Sequence, residues 1–168
     1  MKMLVSQRMC LALTTVGLML CAIAIDASAG EANKGVYGEV AVKSGFSGDV
    51  AIRGYDPVAY FSDGKAVQGS EAYSYKWLGA TWWFASEAHR RRFVADPISY
   101  APQYGGACAE GIADYGRVIV DTDPESWRII DGKLYLSSGA RFQDRTLDVA
   151  AAERNWKTAR AKIEEQRN

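Results

Sequence analysis

The chain of 168 residues is 48% hydrophobic and 24% charged, and its formal net charge is zero. This composition is typical of one globular domain, because it is too apolar for a disordered chain and too charged for a bundle of membrane helices. The sequence has no excess of basic residues, so we expect neither nucleic acid nor anionic lipid as its main partner.

The start of the chain has the organisation of a secretory signal peptide. Lys2 and Arg8 are followed by an apolar stretch at 10–25, and Ala27 and Ala29 give the small-residue pattern that signal peptidase recognises. The apolar stretch is short for a bilayer span. We therefore expect cleavage after Ala29, export by the general secretory route to the periplasm or the medium, and no stable membrane insertion afterwards. The alternative is an uncleaved anchor.

Removal of this segment leaves few metal-binding side chains. Cys10, Cys21 and every methionine lie in it, so Cys108 is the one remaining cysteine and His89 the one histidine. An exported domain with a single cysteine has no internal disulfide. One chain of this kind cannot form a four-cysteine or two-cysteine, two-histidine zinc site, or a methionine-rich copper site.

We divide the chain into a signal peptide (1–29), a flexible N-terminal arm (30–48) and a single domain (49–168) with a C-terminal helical extension. The arm is glycine-rich and weakly patterned, with an edge strand predicted at 40–42. Further along, Ser62 to Lys65 is typical of a turn, because Asp63-Gly64 supplies the positive φ that a turn needs.

Two hairpins are predicted from turn dipeptides between apolar runs. The first turn is Leu78 to Ala80, and the second is Asp131-Gly132. The flanking strands are 73–77 with 81–84 and 127–130 with 133–136. A further strand is predicted at 117–120.

Helices occupy much of the remaining sequence. Ser86 is a predicted N-cap, and its helix should end near Asp96, before Pro97, where a short helical turn follows. Another helix is expected to start near Ala107, with Gly111 and Gly116 in a loop. Near the end, Asp148 caps a helix whose apolar residues recur at helical spacing: Val149, Ala152, Trp156, Ala159 and Ile163. The predicted class is α+β, with small antiparallel hairpins packed with short helices and a C-terminal helix.

Several motifs carry a resemblance to a known family. They are GYDPVAYF at 54–61, GATWWFAS at 79–86 and YAPQYGG at 100–106, followed by Cys108-Ala109 and, in the tail, DGKLYL at 131–136. Through them the chain, from about 50 to 160, resembles the YHS domain, and most of all its exported, stand-alone bacterial branch. The resemblance implies a small α+β domain.

The same resemblance implies a role in soft-metal handling, because the YHS domains of metal-transporting ATPases carry cysteines for this purpose. Here Ala59 and Ala85 stand at two of those positions and His89 at the third. We therefore expect a binding module rather than an enzyme. Its ligand would be a small molecule or a copper-like or other soft metal ion, held by His89 and Cys108. The aromatic residues expected to line the pocket, if they are not simply core, are Tyr55, Tyr60, Trp82, Trp83 and Tyr104.

Cys108 also supports two alternative hypotheses. A helix start near Ala107, after Gly105 and Gly106, would bring backbone N–H groups to the thiol and lower its pKa, as in a single-cysteine redox protein. Otherwise Cys108 is a small buried residue of a structural or partner-binding domain. The sequence shows no recognisable Ser/His/Asp set, P-loop or dinucleotide fingerprint. Asp56, which precedes Pro57, is expected to bond its own local backbone as a turn residue.

Overall fold

The computed structural model describes residues 50–165, which form two antiparallel hairpins with short helices and a long C-terminal helix. The predicted α+β class is confirmed. The elements are α1 (Ala59–Ser62), β1 (Ser70–Trp77), β2 (Ala80–Phe84), α2 (Glu87–Ala95), α3 (Pro97–Tyr100), α4 (Ala109–Tyr115), β3 (Asp123–Ile130), β4 (Lys133–Ser137) and α5 (Val149–Glu165), with single 3-10 turns at Ala51–Gly54, Gln103–Gly106 and Phe142–Asp144. The predicted signal peptide, the arm and its strand lie outside the described residues.

Both hairpins lie where the sequence predicts them and have two-residue turns, but Ala80, which the sequence predicts in the first turn, begins β2. Leu78 and Gly79 join β1 to β2 with φ values of 48° and 80°, and Asp131 and Gly132 join β3 to β4 with φ values of 50° and 72°. Positive φ at both positions matches the right-handed twist of the paired strands, which is why aspartate–glycine pairs favour such turns.

The helix caps are also where the sequence puts them. Ser86 Oγ accepts a hydrogen bond from the backbone N–H of His89 at 3.2 Å, and α2 ends at Ala95, before Asp96-Pro97. Asp148 Oδ1 accepts from the N–H of Ala151 at 2.8 Å and begins α5. In each case a side-chain oxygen satisfies an N–H group that the first helical turn leaves without a partner.

The core consists of two clusters of buried side chains. The first packs the β1–β2 hairpin against α2, and the second packs β4 against α4 and α5. The largest members of the first are Tyr60, Trp82, Phe84 and Phe93, and those of the second are Tyr104, Ile112, Tyr135 and Phe142.

The strand prediction for 117–120 is wrong, because these residues form no ladder. Their hydrogen bonds go to separate partners: the N–H of Arg117 donates to the Gly111 carbonyl, and the Ile119 carbonyl accepts from the N–H of Cys108. The expected helix begins at Ala109 rather than Ala107, and it includes Gly111. A Cβ at Gly111 would lie 2.8 Å from Cδ1 of Ile119, so the segment packs closely against the helix.

Within the described part of the chain, every helix is too short or too polar to cross a membrane.

Candidate functional site

Cys108 is the N-cap of α4, and it is 2% exposed. Its Sγ accepts hydrogen bonds from the N–H of Gly111 at 3.4 Å, from the N–H of Ser138 at 3.5 Å and from Ser138 Oγ at 3.4 Å. A fourth contact joins it to Ser137 Oγ at 3.4 Å. The thiol is therefore buried among polar groups.

Two elements bring these groups together. The chain enters α4 through three consecutive residues with positive φ, at Tyr104 (58°), Gly105 (65°) and Gly106 (84°), which turn it sharply before Cys108. Cys108 then forms an isolated parallel bridge with Leu136 of β4. The end of β4 thus lies beside the thiol, so the serines that follow Leu136 reach it.

The polar surroundings change the acidity of the thiol. Burial raises the pKa of Cys108, but the hydrogen bonds from Ser137, Ser138 and Gly111 together outweigh it, and the net effect lowers the pKa below its ordinary value. Hydrogen bonds to the charged form favour that form. The fold therefore stabilises the thiolate, the reactive state of cysteine.

A carboxylate lies behind Ser137. Ser137 Oγ donates to Glu110 Oε2, and Glu110 Oε1 lies 3.0 Å from Nη1 of Arg145, an ion pair without hydrogen-bond geometry. A serine hydroxyl carries one proton. Ser137 therefore donates either to Glu110 Oε2 or to Sγ of Cys108, and Cys108 is the donor in their contact only while Ser137 donates to Glu110. A chain of hydrogen bonds therefore leads from the thiol to a carboxylate.

His89 lies in a second polar group, on α2. Its Nδ1 is 2.6 Å from Oδ2 of Asp56, a side chain with 0% exposure. Asp56 also accepts from the N–H of Val58 and the N–H of Ala85, both at 2.8 Å. The local backbone bond expected for Asp56 is confirmed. Three donors satisfy this buried carboxylate, as burial of a charged group requires.

The other side of the imidazole faces α1. Nε2 of His89 lies 3.3 Å from Oγ of Ser62, which is exposed. A serine, a histidine and an aspartate thus lie in contact in the order that nucleophilic catalysis uses. The sequence shows no motif that predicts this set, and it indicates Ser62 only as part of a turn. The one signal of this set in the sequence is that Asp56 and Ser62 lie only six residues apart. This spacing does not predict that His89 lies between them.

The described residues do not fit the expected soft-metal site. His89 contacts Asp56 and Ser62, whereas Cys108 contacts Ser137, Ser138 and Gly111. Between residues 50 and 165, no three of the histidine, cysteine, aspartate and glutamate side chains are grouped so that they could hold a metal ion. Metal binding through His89 and Cys108 stays a prediction that this geometry does not support.

The aromatic residues expected to line a pocket divide into two groups. Tyr60, Trp82 and Tyr104 are 1%, 1% and 4% exposed and belong to the core. Tyr55 and Trp83 are partly buried. Two cavities of about 540 and 310 Å³ lie along α5, and none of these five residues lines either of them.

Comparisons of the chain with protein-family models, with curated proteins and with solved structures gave no match. The resemblance to the YHS domain therefore stays a prediction that depends on the motifs themselves.

Proposed function

We propose that this protein is an exported, single-cysteine thiol protein whose Cys108 is oxidised by a small hydroperoxide. One observation carries the proposal. The buried Sγ of Cys108 is in contact with four hydrogen-bonding groups of Ser137, Ser138 and Gly111.

These contacts distinguish Cys108 from a cysteine that only fills the core. A buried structural cysteine behaves as a small hydrophobic residue, and it needs no hydrogen-bond donors. The donors around Cys108 bind a thiolate more strongly than a neutral thiol, because a hydrogen bond to an ionised acceptor is about twice as strong. The lowered pKa of Cys108 has the same cause.

Burial selects the oxidant. With 2% of Cys108 exposed, a protein disulfide has no access to Sγ. A molecule as small as hydrogen peroxide needs only a local opening of the structure.

The reaction is a two-electron oxidation of sulfur. The thiolate attacks one peroxide oxygen, the S–O bond forms and the O–O bond breaks, and hydroxide leaves and is protonated to water. The product is a sulfenic acid at Cys108. A small external thiol then attacks that sulfur and releases water, and a second such thiol reduces the mixed disulfide and restores Cys108.

The test measures the oxidation of Cys108 in the protein as the cell exports it. Hydrogen peroxide is added in the presence of dimedone, which traps sulfenic acids, and the adduct is located by peptide mass spectrometry. We expect a dimedone adduct at Cys108 in the native protein, at a rate that rises with pH and levels off below the ordinary thiol pKa. No adduct before denaturation would refute the proposal and leave Cys108 a core residue of a structural domain. The Cys108→Ser variant, which keeps a hydroxyl in the same place, is the control.

A further inference from the structure

Ser62, His89 and Asp56 form a second polar group that the thiol chemistry does not use. We propose that this group is an acyl-transfer site, in which Ser62 is a nucleophile toward small, uncharged, activated esters. The proposal is independent of the function proposed for Cys108.

The buried carboxylate fixes the imidazole. Asp56 Oδ1 accepts from the N–H of Val58, and Oδ2 accepts from the N–H of Ala85 and from Nδ1 of His89. These bonds hold both carboxylate oxygens in place, so the carboxylate does not rotate away from the ring. A carboxylate at Nδ1 requires a proton on that nitrogen, which leaves Nε2 of the neutral ring as the acceptor.

The accepting nitrogen faces an exposed hydroxyl. Ser62 Oγ lies 3.3 Å from Nε2, slightly longer than a bond made during proton transfer, as is usual before substrate binds. The ring itself is 14% exposed, so a substrate meets Ser62 before it meets the base. The N-cap contact of Ser86 with the N–H of His89 holds the backbone of the base as well.

Two other acceptors compete for the proton of Ser62. They are the Val58 carbonyl oxygen at 3.1 Å and Asp63 Oδ1 at 2.7 Å. An imidazole is ordinarily a stronger base than either group, so it is the acceptor that can remove the proton during attack. Asp63 therefore lowers the reactivity of Ser62 at rest. Its negative charge also disfavours anionic substrates, which is why we name uncharged esters.

Hydrolysis of an ester at this site needs no cofactor. Ser62 Oγ attacks the carbonyl carbon and gives its proton to Nε2 of His89. The new O–C bond forms, the ester C–O bond breaks, and the proton passes from His89 to the leaving alcohol. Water then attacks the acyl-serine, gives one proton through the same nitrogen to Oγ, and releases a carboxylic acid and the free serine.

The test uses a fluorophosphonate probe on the full protein, because such probes label activated serines and few others. We expect one phosphonyl group per chain, located at Ser62 by peptide mass spectrometry. Ser62→Ala should abolish the labelling, and His89→Gln should slow it by about 10²-fold, the usual contribution of a general base. Asp63→Ala should speed it up, since the competing acceptor is gone.

A matched control is available in the same fold. Ser99 is exposed, and its Oγ donates to Asp96 Oδ2 at 2.6 Å. No imidazole contact accompanies that bond within the described residues. Ser99→Ala should leave the labelling unchanged.

The side chain of Ser62 is exposed, so Ser62→Ala keeps the fold, which circular dichroism verifies. Any of four results would overturn the proposal: absence of labelling, labelling at another residue, an unchanged rate in His89→Gln, or loss of labelling with a chelator.

Discussion

Oδ2 of Asp56 lies 2.6 Å from Nδ1 of His89, and this contact ties the turn before α1 to the first half of α2 across 33 residues of sequence. The same carboxylate accepts from the N–H of Ala85, at the end of β2. One buried side chain therefore connects three parts of the first core cluster, so its removal affects the fold as well as the site.

Replacement of Asp56 by alanine should cost about 3 kcal/mol or more of the free energy of unfolding. The substitution leaves the buried N–H of Val58 and the partly buried N–H of Ala85 without their acceptor, and the loss of a buried partner costs about 1–3 kcal/mol. Urea denaturation measures the effect. Asp96→Ala is the control, because Asp96 caps α3 from an exposed position and its loss should cost only about 1 kcal/mol. Equal costs for the two variants would contradict this account.

The features that the sequence predicts correctly are those that short segments decide. The turn at Asp131-Gly132 follows from the φ values that these two residues tolerate, and the cap at Ser86 follows from one hydroxyl and the N–H groups of the next turn. Each needs information from only a few neighbouring residues. For this reason the hairpins, the caps and the α+β class are confirmed.

The candidate sites depend on contacts between segments that are far apart in the sequence. The periodicity of apolar residues gives no information about such contacts. Ser62 meets His89 across 27 residues, and Ser138 meets Cys108 across 30. The wrong strand prediction for 117–120 has a related cause. An apolar run indicates that a segment can be a strand, but not whether a neighbouring edge offers it a ladder.

Phe93 should be among the most sensitive positions of the first core cluster. It is 0% exposed, and its ring centroid lies 5.0 Å from that of Trp82 and 5.2 Å from that of Phe84. Phe93→Ala removes these contacts and leaves a cavity, at a cost of about 3–5 kcal/mol. Val94 follows it on α2 and is 41% exposed, so Val94→Ala should change the free energy of unfolding by less than about 1 kcal/mol. Similar losses in both variants would show that α2 does not pack as described.

The lowered pKa of Cys108 makes part of the stability depend on pH. A thiol whose folded pKa lies below its unfolded value stabilises the fold when it is ionised. The contribution is fully present above the unfolded value, near 9.0, and is lost as the pH falls through the lowered folded value. The difference in the free energy of unfolding between the native chain and Cys108→Ser should therefore grow with pH across that interval. A difference that is constant, or that shrinks as the pH rises, would contradict the depressed pKa.

The hydroxyl of Ser138 should contribute separately to the acidity of the thiol. Ser138→Ala removes one donor to Sγ but keeps the backbone N–H that lies 3.5 Å from it, so the pKa of Cys108 should rise toward its ordinary value without reaching it. The pH dependence of alkylation by iodoacetamide, followed at Cys108 by peptide mass spectrometry, measures this change. Ser126→Ala is the matched control, because Ser126 is a buried serine of β3 whose hydroxyl donates to the Gly139 carbonyl instead of to the thiol. Ser126→Ala should lower stability and leave the pKa of Cys108 unchanged. If both variants move the alkylation profile equally, the pKa responds to loosening of the hairpin and not to the Ser138 hydroxyl.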